Sequence, residues 1–184
     1  RLAGAADRRV IAFNPPDRVD EFARLVGHEW ELTPQIACSV SVNAPSDLGR
    51  SPDLGQRMSN FFESQLALSG RVVLIGSDTP TVTESEINSA MEQLCSHEVV
   101  LGPANDGGYW LIGMRRFIPE LFRGISWSTD SVFDQTIGIL KRDSVRWSEL
   151  NVQIDVDDWE DLQHLHDHLS ASPRFDAELQ QVLA

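Results

Sequence analysis

Three short acidic loops hold the side chains best able to do chemistry: Ser77-Asp78-Thr79-Pro80, Asn105-Asp106-Gly107-Gly108 and Asp155-Val156-Asp157-Asp158. Each follows a strand or a stretch with strand character, so all three are expected along one edge of a sheet. Carboxylates gathered in a crevice repel one another unless a hard cation joins them. Mg²⁺ or Mn²⁺ suits such a group, taking one or two carboxylates and keeping positions for water and substrate phosphates. The chemistry that follows is neutralisation of a diphosphate as it leaves.

Each acid also has an ordinary explanation. Asp158 precedes a helix, where free amides and the macrodipole favour a carboxylate. Asp155 and Asp157 alternate on an extended segment and share a face, so one of them is expected to meet metal or substrate. Asp78 is either a turn-former and cap or a metal ligand. Asp106-Gly107-Gly108 alone is a good turn. Its two glycines would also let a ligand approach the backbone, with Tyr109 and Trp110 following at once.

The elements that must position these loops follow from periodicity. Val72 to Ile75 is an unbroken apolar run and reads as a central strand buried on both faces, as a parallel sheet under helices requires. Ligands of such sheets bind beyond the carboxyl ends of the strands. Residues 9–13, 30–34, 98–101, 109–113 and 145–150 read as further strands, and the pair around Gly107 suggests an antiparallel member. Helices are expected over 17–26, from 53 to about 69, from 84, over 130–141 and over 159–169, with a terminal helical extension over 173–183. Thr83-Glu-Ser-Glu86 is a capping box. Residues 35–52, rich in Ser, Asn and Pro, read as a loop. The alternation gives a three-layer α/β/α sandwich on a mostly parallel, mixed sheet.

A chain of 184 residues suffices for one α/β domain, and 41 % hydrophobic residues is an ordinary globular value. No apolar run approaches the roughly 20 residues of a membrane span. A net charge of −13 argues against a general binder of nucleic acid or anionic membrane. Cys38 and Cys95 lack metal spacing and are expected as small buried hydrophobes in a reducing, cytoplasmic setting. Trp30, Trp147 and Trp159 read as packing residues.

Several ordered segments together resemble a known family. Gly76-Ser-Asp-Thr-Pro80, Gly102-Pro-Ala-Asn-Asp-Gly-Gly-Tyr-Trp-Leu-Ile-Gly113, Leu121-Phe122, Trp127-Ser-Thr129, Asp155-Val-Asp157 and Asp53-Leu-Gly-Gln-Arg-Met58 are similar to the small bacterial GT-A glycosyltransferase-like proteins. That former domain-of-unknown-function family is related to nucleotide-diphospho-sugar transferases and to the guanylyltransferase of molybdenum cofactor synthesis. The likeness implies a single GT-A domain over residues 1–184 that binds a nucleotide through Mg²⁺ or Mn²⁺. Asp78 and Asp157, with Asp155 beside them, would hold the metal. Asp53, Gly55 and Arg57 would face the nucleotide. Gly107, Gly108 and Tyr109 would line the sugar or acceptor pocket with Asp106, and Trp127, Ser128 and Thr129 would form its rim. Family members begin with a strand and a basic phosphate loop, which Leu2-Ala-Gly-Ala does not supply; both are expected to be missing here.

The reading that results is a metal-dependent transferase using a nucleotide-activated donor. Glycosyl transfer from a nucleotide sugar leads, and nucleotidyl transfer to a small phosphorylated acceptor follows. Asp106 is the expected group to orient the acceptor or take its proton. The implied partners are a nucleotide or nucleotide sugar and a small-molecule acceptor, with a homo-oligomer left open. A non-catalytic nucleotide-binding module on the same scaffold is the alternative.

Overall fold

The computed structural model describes residues 7–15, 17–26, 30–35 and 54–171, with side chains of the last helix through 167. The expected loop over 35–52 (beyond Gln35) and the terminal extension over 173–183 lie outside these residues, as do Asp53 and Cys38. The described strands are β1 (Val10–Phe13), β2 (Glu31–Pro34), β3 (Val72–Ile75), β4 (Val99–Pro103), β5 (Tyr109–Met114) and β6 (Trp147–Glu149). The helices are α1 (Val19–Leu25), α2 (Leu54–Leu66), α3 (Glu84–Gln93), α4 (Val132–Arg142) and α5 (Trp159–Ala171), with a 3-10 turn at Pro119–Phe122.

Four strands form one mixed sheet in the order β3-β5-β4-β6, and β1 pairs with β2 in a separate parallel pair. Strand β5 runs antiparallel to both its neighbours, whereas β4 and β6 are parallel. The hairpin β4–β5 is the buried centre: Val99, Val100, Leu101 and Leu111 are fully shielded. Alternation along it feeds two layers. Val99, Leu101, Ile112 and Met114 pack with Met58 and Phe62 of α2, Leu121 and Phe122 of the 3-10 turn, and Leu140 of α4. Val100 and Leu111 pack with Ile87, Ala90 and Leu94 of α3. Successive strand residues point to opposite faces, so one hairpin supports helices on both sides.

Strand β3 is therefore not the central strand its composition suggests. Among the described residues it pairs only with β5, at the edge of the sheet, and Val73 to Ile75 are half-buried. Its apolar side chains instead form a wall of the large cavity described below. Helix α1 likewise buries no residue fully, and Val19 is 44 % exposed. Its Phe22 stacks against Phe13 of β1 at 4.9 Å. Cys95 is exposed rather than buried, with the Arg71 guanidinium 2.8 Å from its sulfur. Trp159 is 71 % exposed, so it does not pack as its type suggests.

Two helix starts follow their local chemistry. Thr83 and Glu86 form the reciprocal capping box of α3, the Thr83 N–H donating to Glu86 at 2.8 Å. The Asp158 carboxylate accepts the N–H groups of Glu160 and Asp161 at 2.8 and 3.0 Å, opening α5. Asp158 is thereby committed to capping. No helix among the described residues is long and apolar enough to cross a membrane.

Candidate active site

The three acidic loops are stitched together by backbone and short side chains. The Val156 N–H donates to the Asp78 carbonyl at 2.9 Å, which sets Asp155 and Asp157 on either side of a direct tie to the loop after β3. The Thr79 hydroxyl donates to the Asp155 carboxylate. The Asn105 N–H donates to the Gln153 carbonyl at 3.1 Å, and the Asn105 amide oxygen accepts the Asp155 N–H at 3.3 Å. Thr79 and Asn105 were not singled out by the sequence reading. Each adjoins an aspartate that was, and only the fold shows that they join separate loops.

Electrostatics record the crowding. Burial pushes the Asp155 carboxyl above its ordinary range, against the pull of the Thr79 hydroxyl, and Asp78, Asp106 and Asp157 add repulsion. Burial also raises Asp157, again with like-charge repulsion from Asp78 and Asp106, then Asp161 and Asp158. The four acids thus share one field. Among the described residues, no three His, Cys, Asp or Glu side chains stand close enough together to hold a metal ion. The donors are hard carboxylate oxygens, which suit Mg²⁺ or Mn²⁺ better than a softer metal. As placed, an ion would draw on no more than two of these side chains and complete its shell from water and phosphate. The residues fit such an ion on those terms.

Asp78, Asp106, Asp155 and Asp157 all line a cavity of about 1140 Å³. Gly108, Tyr109, Trp127, Ser128, Thr129 and Arg57 line it too. The Asp78 carboxylate curls back over Gly76, where a Cβ would stand 2.4 Å from its Oδ1. Asp106 accepts the Gly108 N–H at 2.8 Å through Oδ1, an Asx-type turn. A second, shallower depression, about 490 Å³, is lined by His97, Lys141, Arg146 and Trp147 and by no carboxylate. The acidic chemistry belongs to the larger one.

Aromatic residues line the same cavity. Tyr109 and Trp127 meet edge to face at 6.4 Å. The Tyr109 hydroxyl is shut away without a hydrogen-bond partner, and burial pushes the phenol well above its usual range. Trp127 lies against Gly55, where a Cβ would come within 2.1 Å of the indole nitrogen. Gly55 is buried under that indole and leaves no surface for a ligand, so its place in the fold is close packing of α2. Gly107 has φ +88, and a Cβ there would meet the Asp130 carbonyl oxygen at 2.1 Å. Backbone packing by itself calls for glycine at 107. Ser128 adopts a left-handed φ of 62° beside Thr129, whose hydroxyl donates to the Ser126 carbonyl at 2.7 Å.

The order of strands and helices, with the acid rim beyond the ends of β3 and β4, is that of the GT-A, nucleotide-diphospho-sugar transferase type of α/β fold. A Desulfovibrio desulfuricans G20 protein called a "putative nucleotide-diphospho-sugar transferase" superposes with a TM-score of 0.76 at 29 % identity, over 90 % of this chain and 68 % of that one. Rv0371c of Mycobacterium tuberculosis H37Rv, in a complex with manganese, superposes with a TM-score of 0.52 at 16 % identity, over 90 % and 80 %. Its homologue from Mycobacterium sp. strain JC1 gives 0.52 at 15 %, over 92 % and 83 %. At such identities the mycobacterial likeness concerns the fold alone. None of the curated proteins matches. Residues 2–129 match the family described as "Uncharacterized protein conserved in bacteria (DUF2064)", and the chain belongs to that family.

Proposed function

We propose that this chain is a divalent-cation-dependent transferase acting on a nucleotide-activated donor, with glycosyl transfer from a nucleotide sugar as its reaction. The observation that carries the reading is the convergence of Asp78, Asp106, Asp155 and Asp157 in one cavity that Tyr109 and Trp127 also line. Likeness to the Desulfovibrio protein supports the donor class, and the manganese in the Rv0371c complex makes Mn²⁺ the first ion to test.

In this reading two carboxylates from among Asp78, Asp155 and Asp157 hold the ion, and water and phosphate complete its shell. A bound divalent cation neutralises charge on the diphosphate as it departs. Tyr109 and Trp127 offer apolar faces and edges against which a sugar ring can pack. Asp106 keeps Oδ1 engaged with the Gly108 amide, which fixes the carboxylate while Oδ2 receives the acceptor hydroxyl's proton. Asp106→Asn is expected to lower turnover by about 10²-fold or more while donor binding persists.

The test is thermal stabilisation by nucleoside diphosphates and nucleotide sugars with and without Mn²⁺. Stabilisation should be markedly larger with the ion, and that ion-dependent part should vanish in Asp78→Ala, whose exposed side chain contributes little to folding. A response of equal size without metal, or in Asp78→Ala, refutes the reading.

A further inference from the structure

Four arginines line the large cavity, and they fall into two kinds. Arg8 donates to the Glu31 carboxylate through Nε and Nη2, at 3.0 and 2.7 Å. Arg71 donates through Nη1 to the Met91 carbonyl at 2.7 Å. These two are occupied. Arg9 and Arg57 are not: each has its Nε buried with no hydrogen-bond partner. No ion pair among the described residues includes Arg57. Burying a guanidinium nitrogen unpaired is costly, and in a chain of net charge −13 acidic partners are abundant. A cation left unmatched in such surroundings points to an anion that arrives from outside.

Position narrows the choice between the two. Leu54, Arg57, Met58, Phe61 and Gln65 all line the cavity, the spacing of one face of α2. Gly55, at the start of the same helix, packs on Trp127, which meets Tyr109. Tyr109 opens β5 beyond the Ile75–Leu111 pair, on the side from which the loop carrying Asp78 leaves β3. Arg57 therefore stands at the same rim as the aspartates. Tyr109 lines that cavity as well.

We infer that Arg57 is an anion-binding residue of this site, taking the diphosphate of the ligand beside the aspartates. The planar fork of a guanidinium fits two phosphate oxygens at once, which a lysine ammonium does not. The diphosphate is then met by a fixed charge on α2 and, when present, by the ion the aspartates hold. Part of the affinity for a diphosphate consequently survives removal of the metal. The inference rests on reading the cavity as a nucleotide site.

Calorimetric titration with inorganic pyrophosphate and with a nucleoside diphosphate, each with and without Mn²⁺, tests it in wild type, Arg57→Gln, Arg57→Lys, Arg8→Gln and Asp78→Ala. Arg57→Gln should weaken both ligands about tenfold or more whether or not Mn²⁺ is present. Arg57→Lys should recover only part of the loss. Arg8→Gln removes the same charge from the same cavity and should bind like wild type. Equal weakening in Arg57→Gln and Arg8→Gln overturns the inference, as does unchanged binding in Arg57→Gln. If Asp78→Ala abolishes the Mn²⁺-dependent part while Arg57→Gln is silent, the functional reading stands and the arginine assignment fails. If wild type binds neither ligand under any condition, both fall. Thermal unfolding of Arg57→Lys guards against mistaking misfolding for lost recognition.

Discussion

The two ends of the central hairpin treat carboxylates in opposite ways. Before β4, Glu98 accepts from the Arg116 guanidinium at 2.5 Å and from the Arg146 N–H at 3.1 Å. Its side chain is 19 % exposed, and those bonds, the Arg146 amide foremost, hold its carboxyl below the ordinary range. Beyond the other end of β4, Asp155 and Asp157 are pushed the other way by burial and by neighbouring acids. One end is a finished clip joining β4 to the segments before β6 and after β5. The other stores repulsion that a cation can relieve. A carboxylate that stabilises the fold comes with its partner. One that waits for a ligand is left short of partners and costs stability until the ligand arrives.

The contrast can be broken or sharpened by substitution. The largest effect is expected from Gly107→Val, which forces a β-branched residue into a positive φ and against the Asp130 backbone. Unfolding in denaturant should show a loss of more than about 2 kcal/mol, with the Mn²⁺ response lost as the acid loop shifts. Next, Glu98→Gln should cost on the order of 1 kcal/mol near neutral pH. Because the folded carboxyl sits below its unfolded value, that contribution is full above the unfolded value and fades as pH falls through the folded one. The variant's stability should therefore fall less steeply in acid than that of wild type. An unaltered acid limb would remove Glu98 from the account. The same variant should keep the whole Mn²⁺-dependent rise in Tm, since the clip and the rim are at opposite ends; a lost rise would mean the ends are coupled. The smallest effect is of opposite sign. Asp157→Asn should slightly raise Tm near neutral pH without metal, because a carboxyl raised on folding lowers stability until pH drops through its folded value. A fall in Tm would show that Asp157 is held by favourable contacts rather than by repulsion.

Legibility in the sequence follows the range of the interaction. The α3 capping box and the Asp158 cap are local and could be read from residue types three apart. The strands read at 98–101 and 109–113 are found at Val99–Pro103 and Tyr109–Met114, legible because their apolar runs are long and a turn signal lies between them. The rank of β3 could not. A strand buried in the middle of a sheet and one lining a cavity at its edge have the same apolar composition. Gly55 and Gly107 were legible as special positions, but not the neighbours that crowd them, a distant indole in one case and the Asp130 carbonyl in the other. Arg57 stood out through its segment's likeness to the family. That it lacks a partner while Arg8 has one is invisible along the chain.

By itself the sequence determined which residues could do the chemistry and that strands and helices alternate to carry them, since both depend on composition and on spacings of a few residues. The folded chain decided that the Asp78 carbonyl and the Val156 amide meet, and with them the acids on either side. It also decided that β5 lies between β3 and β4, and which of the cavity's arginines have partners and which do not. Those facts depend on pairings between segments up to 78 residues apart, counted from Asp78 to Val156, and no local pattern encodes which distant segment becomes the neighbour.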